Sequence, residues 1–240
     1  DRFSRIELGG RPMAVQFCND GRRVWVGNYL LNAMQEVDVI DREVLRTIEL
    51  GGPETPSLAR AGEAVFLDAR KSLDQWYSCY SCHYEGGPNR PTVDTRNDGG
   101  FQNTYKTIRG LYNVAQTGPW TWHGWQDDFR AAMKKSLAET LMSPDTPRRA
   151  DMKALIAYFE SLTPPPNWHR NADGSLPEAA QRGKAVFEGE VAGCANCHNG
   201  PEFTDGEIHD VGTGEPIDKY DGYNTPSLIG VARQVRWLHH

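Results

Sequence analysis

Two pentapeptides constrain this 240-residue chain more than any other feature: Cys79-Tyr80-Ser81-Cys82-His83 and Cys194-Ala195-Asn196-Cys197-His198. They hold four of its five cysteines and two of its seven histidines. Thiols three positions apart can each form a thioether with one vinyl group of a haem, and the adjacent imidazole then lies beneath the iron as its proximal ligand. The pattern therefore assigns covalent haem c to Cys79, Cys82 and His83, and again to Cys194, Cys197 and His198. Cys-x-x-Cys alone would also suit a zinc site or a redox dithiol. The histidine that follows both pairs at once argues against these. A disulfide scaffold is the weakest reading, since the pairs are far apart in a chain that needs no stapling. Cys18 stands alone and reads as a small buried hydrophobe.

The pentapeptides belong to a duplicated unit. Gly62-Glu63-Ala64-Val65-Phe66 matches Gly183-Lys184-Ala185-Val186-Phe187, and Asn103-Thr104 matches Asn224-Thr225, both at an offset of 121 residues with a haem motif in between. After the first copy the chain passes Trp122-His123-Gly124 and enters two helical patterns. Residues 125–142 place Trp125, Phe129, Met133, Leu137 and Leu141 at helical spacing, with Asp127 and Asp128 in the first turn. Residues 147–162 begin with Thr146 as N-cap and Pro147 at the first helical position, and Pro164-Pro165-Pro166 stops them. The second copy reaches Trp237-Leu238-His239-His240 without such helices. The duplication implies a second unit cut short at its C-terminal end, or completed by a further chain.

A shorter repeat marks the N-terminus. Residues 4–10 and 46–52 share Ile-Glu-Leu-Gly-Gly at an offset of 42, a propeller-blade length. Between them lie four alternating strand-like stretches, Met13–Cys18, Arg22–Gly27, Ala33–Ile40 and Glu43–Leu50, with turn signals at Asn19-Asp20-Gly21 and Asp41-Arg42. One blade plus a last strand cannot close a propeller, so this segment reads as a propeller remnant or as a small sheet appended to the haem units. The expected fold is mainly α: two tandem cytochrome c-like haem domains, residues 53–166 and 167–240, preceded by a small antiparallel β segment, residues 1–52. A net charge of -6 with no basic cluster gives no footprint for nucleic acid, and no apolar run approaches a membrane span. Haem c attachment implies an exported, periplasmic protein. No signal peptide is visible at Asp1, which suits a mature product or a fragment.

Taken together, Cys79–His83, Asn103 to Gln116, Trp122-His123-Gly124, Cys194–Pro201, Phe203-Thr204-Asp205, His209 to Gly214, Thr225 to Leu228 and Leu238-His239 resemble the bacterial di-haem cytochrome c peroxidase and MauG superfamily. The N-terminal repeat resembles YVTN-type propellers. The superfamily resemblance implies that His83 ligates the peroxidatic haem and His198 the electron-transfer haem, with Trp122 between them as a stepping stone for electrons; ordinary core packing explains Trp122 equally well. It implies a calcium ion held in part by Asn103, which could instead cap a turn. The family's catalytic carboxylate is sought at Glu139, a proton shuttle if it faces the iron. Met142 is the competing candidate, as a sixth iron ligand. His123 is a third, as distal acid–base group, against a histidine merely satisfied at a helix start. The implied activity is reduction of hydrogen peroxide at the first haem, with electrons entering the second from a small redox protein, a c-type cytochrome or cupredoxin. The alternatives are a MauG-like oxidase that matures a protein or cofactor, and a non-enzymatic electron-transfer subunit of a larger complex.

Overall fold

The computed structural model describes residues 4–94 and 104–239, which fall into two compact units meeting at Ser57 and Leu58. In the first unit, β1 (Pro12–Phe17), β2 (Arg23–Asn28), β3 (Ala33–Asp38) and β4 (Glu43–Glu49) form an antiparallel meander in sequence order. Turn chemistry sets its register. The Asp20 carboxylate accepts from the Arg22 and Arg23 amides at 3.0 Å each, and Asp38 accepts from the Ile40 and Asp41 amides at 2.8 and 2.9 Å. The central strands bury Val24, Val26 and Val37 against Ile6 and Leu8, while β1 and β4 are exposed along their length. Alternation had placed all four strands to within two residues. Cys18 is half-buried at the first hairpin rather than in a core.

In the second unit the elements are α1 (Leu58–Leu67), α2 (Cys79–Cys82), β5 (Asn89–Val93), β6 (Lys106–Ile108), α3 (Phe129–Lys135), α4 (Arg149–Ser161), α5 (Glu178–Glu188), β7 (Ile208–His209) and β8 (Tyr223–Asn224). β5 pairs with β6 and β7 with β8, both antiparallel. Helical turns of all kinds take up 30% of the structure, less than the mainly helical expectation. With 18 of the chain's 24 glycines and 12 of its 15 prolines, much of this unit is irregular backbone folded around a cavity.

The helix expected from 125 begins only at Phe129. The Trp120 amide donates to the Gln126 carbonyl at 2.7 Å, closing residues 120–126 into a tight loop, and Asp128 caps the helix by accepting from the Ala131 amide. The helix then widens into a π-turn over residues 136–140. The helix expected over 147–162 is α4, starting two residues later with no side-chain cap.

α1 packs on α4 in a core of Phe66, Met152, Leu155 and Phe159, to which the π-turn stretch after α3 adds Leu137 and Leu141. The Phe66 ring meets Phe159 edge-on at 5.9 Å and Tyr80 at 6.4 Å, tying the helix pair to the first cysteine motif. Burying this one side chain is worth ~1.5–3 kcal/mol. Gly62 makes the approach possible: a Cβ there would lie 1.9 Å from the Ala154 carbonyl oxygen. α5, which carries the matching residues of the second copy, has no buried residue, and a Cβ on Gly183 would meet nothing within 4 Å.

Candidate functional site

Each cysteine motif is a single tight turn. α2 is held by a reciprocal capping box between Ser78 and Ser81, and the His83 amide donates to the Cys79 carbonyl at 2.9 Å. In the second copy Gly193 starts the turn in the left-handed region, and the His198 amide donates to the Cys194 carbonyl at 3.0 Å. The five cysteines form no disulfide.

The histidine rings are oriented alike. Nδ1 of His83 lies 2.9 Å from the Arg109 carbonyl, and Nδ1 of His198 lies 3.2 Å from the Phe203 carbonyl. Each Nδ1 therefore donates to a carbonyl, the orientation that leaves Nε2 of a neutral ring to a metal. Burial pushes the His83 pKa down to about 4, so the ring is neutral at pH 7. Burial also pushes the Cys79 thiol up to about 12, so in the metal-free chain it stays protonated at pH 7.

Both motifs line one cavity of about 650 Å³. Its wall takes Trp122 from the segment between them, Tyr223 and His239 from the segment after the second, and Met133, Ser136 and Leu141 from α3 and the turn after it. Among the described lining residues there is no Asp or Glu, whereas Lys106, Arg109 and Arg236 are present. A large, mainly apolar space with paired thiols, oriented imidazoles and cations for carboxylate groups fits haem c at both motifs. Zinc fits less well. Among the described residues, the grouping with metal-ligand spacing is Cys197 with Asp205 and His209, and it excludes Cys194 and His198.

The remaining candidates are placed as follows. Trp122 is buried in the cavity wall, its indole N–H donating to the Thr107 carbonyl at 2.9 Å and the Arg109 guanidinium 4.9 Å above its ring. Glu139 lies outside the cavity lining, ion-paired with Lys135 and with its side chain 43% exposed. Met142 also lies outside it, exposed and in left-handed backbone at φ 49°. From that stretch the structure turns Ser136 and Thr140 to the cavity instead, because the π-turn rotates the helix face. His123 is fully buried beside the cavity wall, with Nδ1 2.7 Å from the Gly222 carbonyl and its ring on Tyr223. Asn103 lies outside the described residues. His209 pairs with Asp205 at 2.8 Å, and His239 reaches the Thr213 carbonyl at 3.1 Å.

Sequence reasoning missed a buried polar cluster that starts in this wall. Lys106 and Asp218 form an ion pair at 2.6 Å with side chains 6% and 4% exposed, and the Tyr223 hydroxyl donates to Asp218 at 2.5 Å. Burial alone would raise the Asp218 pKa; the Glu215 amide, Lys106 and Tyr223 outweigh it and hold the carboxyl well below the usual range. The one sequence signal was Tyr223 standing directly before the repeated Asn-Thr pair.

No protein-family model matches the chain. It is similar to enzymes of two kinds. The gamma subunit of hydrazine synthase from Kuenenia stuttgartiensis is 35% identical over 177 residues, covering 68% of this chain and 50% of that protein. The methylamine utilization protein MauG of Methylorubrum extorquens is 28% identical over 235 residues, covering 78% of this chain and 65% of that protein. Cytochrome c peroxidases, including one from Nitrosomonas europaea, are also relatives. A solved structure of Kuenenia stuttgartiensis hydrazine synthase superposes with a TM-score of 0.67 at 25% identity, over 78% of this chain and 76% of that one. The relatives are oxidoreductases of the MauG and di-haem peroxidase group together with hydrazine synthase, and haem c is the cofactor they imply. The chain spans about half to two thirds of the length of the curated relatives it matches.

Proposed function

We propose that residues 58–239 are the greater part of a periplasmic di-haem c-type oxidoreductase that reduces hydrogen peroxide. The observation that carries this reading is that both Cys-x-x-Cys-His turns open onto one cavity, each with its imidazole Nδ1 tied to a backbone carbonyl. Cys79 and Cys82 would anchor the first haem and Cys194 and Cys197 the second, with His83 and His198 beneath the irons. Haem supplies the electron storage and the O–O cleavage. The chain fixes both imidazoles, excludes water with the apolar wall, and offers Arg109 and Arg236 to haem carboxylates. With Glu139 and Met142 turned away, Ser136 and Thr140 are the hydroxyl-bearing residues of that stretch that line the cavity. Trp122 stands in the wall shared by both motifs, where it can pass electrons from the second haem to the first.

The same reading includes further expectations about the rest of the chain. The domain division at 53–166 and 167–240 follows the duplication, and the N-terminal sheet is one propeller blade. The bare face of α5, with Gly183 open and Val186 64% exposed, takes a helix that α4 provides in the first copy. A calcium ion at Asn103 and a small cytochrome or cupredoxin as donor belong to the peroxidase reading.

The 35% identity to hydrazine synthase subunit gamma favours a second reading, a haem subunit that acts inside a larger assembly. One experiment separates them. The chain is expressed in a periplasm that attaches haem c, haem is counted per chain, and the ferric protein is mixed with peroxide in stopped flow. Two haems, a high-spin component and turnover with a reduced cytochrome support the peroxidase. Two low-spin haems that stay inert to peroxide after half-reduction would leave the assembly subunit or electron carrier.

A further inference from the structure

Tyr223 sits at the centre of a column of rings. One face stacks on His239 at 3.7 Å and the other on His123 at 4.6 Å, with interplanar angles of 28° and 27°. From His239 the column reaches Trp122 in the cavity wall at 6.0 Å. From His123 it reaches Tyr220 at 5.8 Å, and from there Trp125 at 5.7 Å, both half-buried. Five contacts, none longer than 6.0 Å between centroids, thus connect the cavity to a partly exposed Tyr–Trp pair.

The phenol in the middle has what a one-electron relay needs. Tyr223 is 7% exposed, and its hydroxyl donates at 2.5 Å to a carboxylate that Lys106 holds ionised. A phenol that loses an electron becomes a strong acid, and in a dry site the proton must have an acceptor already in contact. Asp218 is that acceptor. A packing tyrosine needs only some hydrogen-bond partner for its hydroxyl; it does not need an ionised carboxylate, a buried counter-cation and rings on both faces.

We infer that Tyr223 is a redox-active relay that carries single electrons between the Tyr220–Trp125 pair and the haem cavity. The inference rests on the oxidoreductase reading above. In the forward step Tyr223 gives one electron, by way of Trp122, to a haem oxidised by hydrogen peroxide, which is thereby reduced by one electron. The Tyr223 hydroxyl proton passes to Asp218, leaving a neutral phenoxyl radical and a carboxylic acid. In the return step a reduced redox protein at the Tyr220–Trp125 surface supplies one electron, and Asp218 returns the proton.

The haem-loaded chain is oxidised in two ways and frozen for electron paramagnetic resonance: by hydrogen peroxide, and by photogenerated ruthenium(III) tris-bipyridine, which attacks from the surface without peroxide. Wild type should give a tyrosyl signal that narrows in protein grown with ring-deuterated tyrosine. Tyr223→Phe, which keeps the ring and loses the hydroxyl, should lose at least nine tenths of it with an unchanged Soret band. Asp218→Asn, checked for folding by circular dichroism, should show the same loss. A tyrosyl signal of equal size in Tyr223→Phe, or none in wild type under either oxidant, overturns the relay. Haem that reacts with peroxide while no Tyr223 radical forms under either oxidant refutes the relay alone. A Tyr223 radical under ruthenium(III) with haem inert to peroxide refutes the peroxidase reading and leaves the relay standing.

Discussion

Replacing Gly62 and Gly183 by alanine tests whether the two copies of the repeat are packed differently. Both glycines lie inside helices, where alanine gains about 1 kcal/mol. At Gly183 a Cβ meets nothing within 4 Å, so the full gain should appear. At Gly62 the Cβ would lie 1.9 Å from the Ala154 carbonyl oxygen and 2.8 Å from the Tyr158 Cβ. A backbone oxygen on α4 cannot rotate away, so the helices must part by about 1.5 Å to restore ordinary contact. A gap of that order forfeits about half the packing between Phe66, Leu155 and Phe159, each worth ~1.5–3 kcal/mol when buried. After the helix-propensity gain, a net loss of about 2–3 kcal/mol remains, consistent with other overpacked cores. In a unit of this size that lowers Tm by roughly 4–12 °C. Urea titrations followed by tryptophan fluorescence and circular dichroism would measure it. Gly62→Ala as stable as the parent, or the two variants shifting in the same direction, would refute the reasoning.

Other outcomes follow from the same geometry. Because burial lowers the His83 pKa from 6.5 to about 4, the unfolded chain binds more protons between those values. The contribution is fully present above pH 6.5 and is lost as pH falls toward 4, by about 3 kcal/mol in the haem-free protein, and His83→Gln should flatten that slope in a pH series of urea midpoints. Lys106→Met leaves Asp218 buried without its cation and should cost ~3–5 kcal/mol, while Lys106→Met with Asp218→Asn should recover most of it in a double-mutant cycle. Trp122→Phe removes the hydrogen bond to Thr107 and should cost about 1 kcal/mol. The same variant should slow re-reduction of the His83 haem, read in stopped flow, with haem content unchanged.

The two cysteine turns were legible from spacing because their geometry is local. Thiols three residues apart with the next imidazole need one turn of chain, and Cys79–His83 and Cys194–His198 build that turn in two slightly different ways. The β meander was legible for a similar reason: alternation and the Asp20 and Asp38 turns act between neighbours. Glu139 and Met142 were not legible. Which side of a helix faces inward depends on its start and on its pitch, and both were altered, by the Trp120–Gln126 loop closure and by the π-turn at 136–140. The Lys106–Asp218–Tyr223 cluster could not be read either, since its members come from segments more than 100 residues apart.

The sequence by itself determined the two Cys-x-x-Cys-His turns at which haem c is proposed to attach, the histidine that ends each turn, and the repeat that surrounds them. All of these depend on bonds and distances within a few residues. Only the tertiary structure decided that both motifs share one cavity, that its described wall carries cations rather than carboxylates, and that Tyr223 lies between two imidazoles on a buried carboxylate. It also decided the fate of one repeated letter. Gly62 and Gly183 stand in the same sequence context, yet one is pressed against a neighbouring helix and the other faces open space. A residue's identity sets what it can tolerate, and the long-range fold sets what it meets.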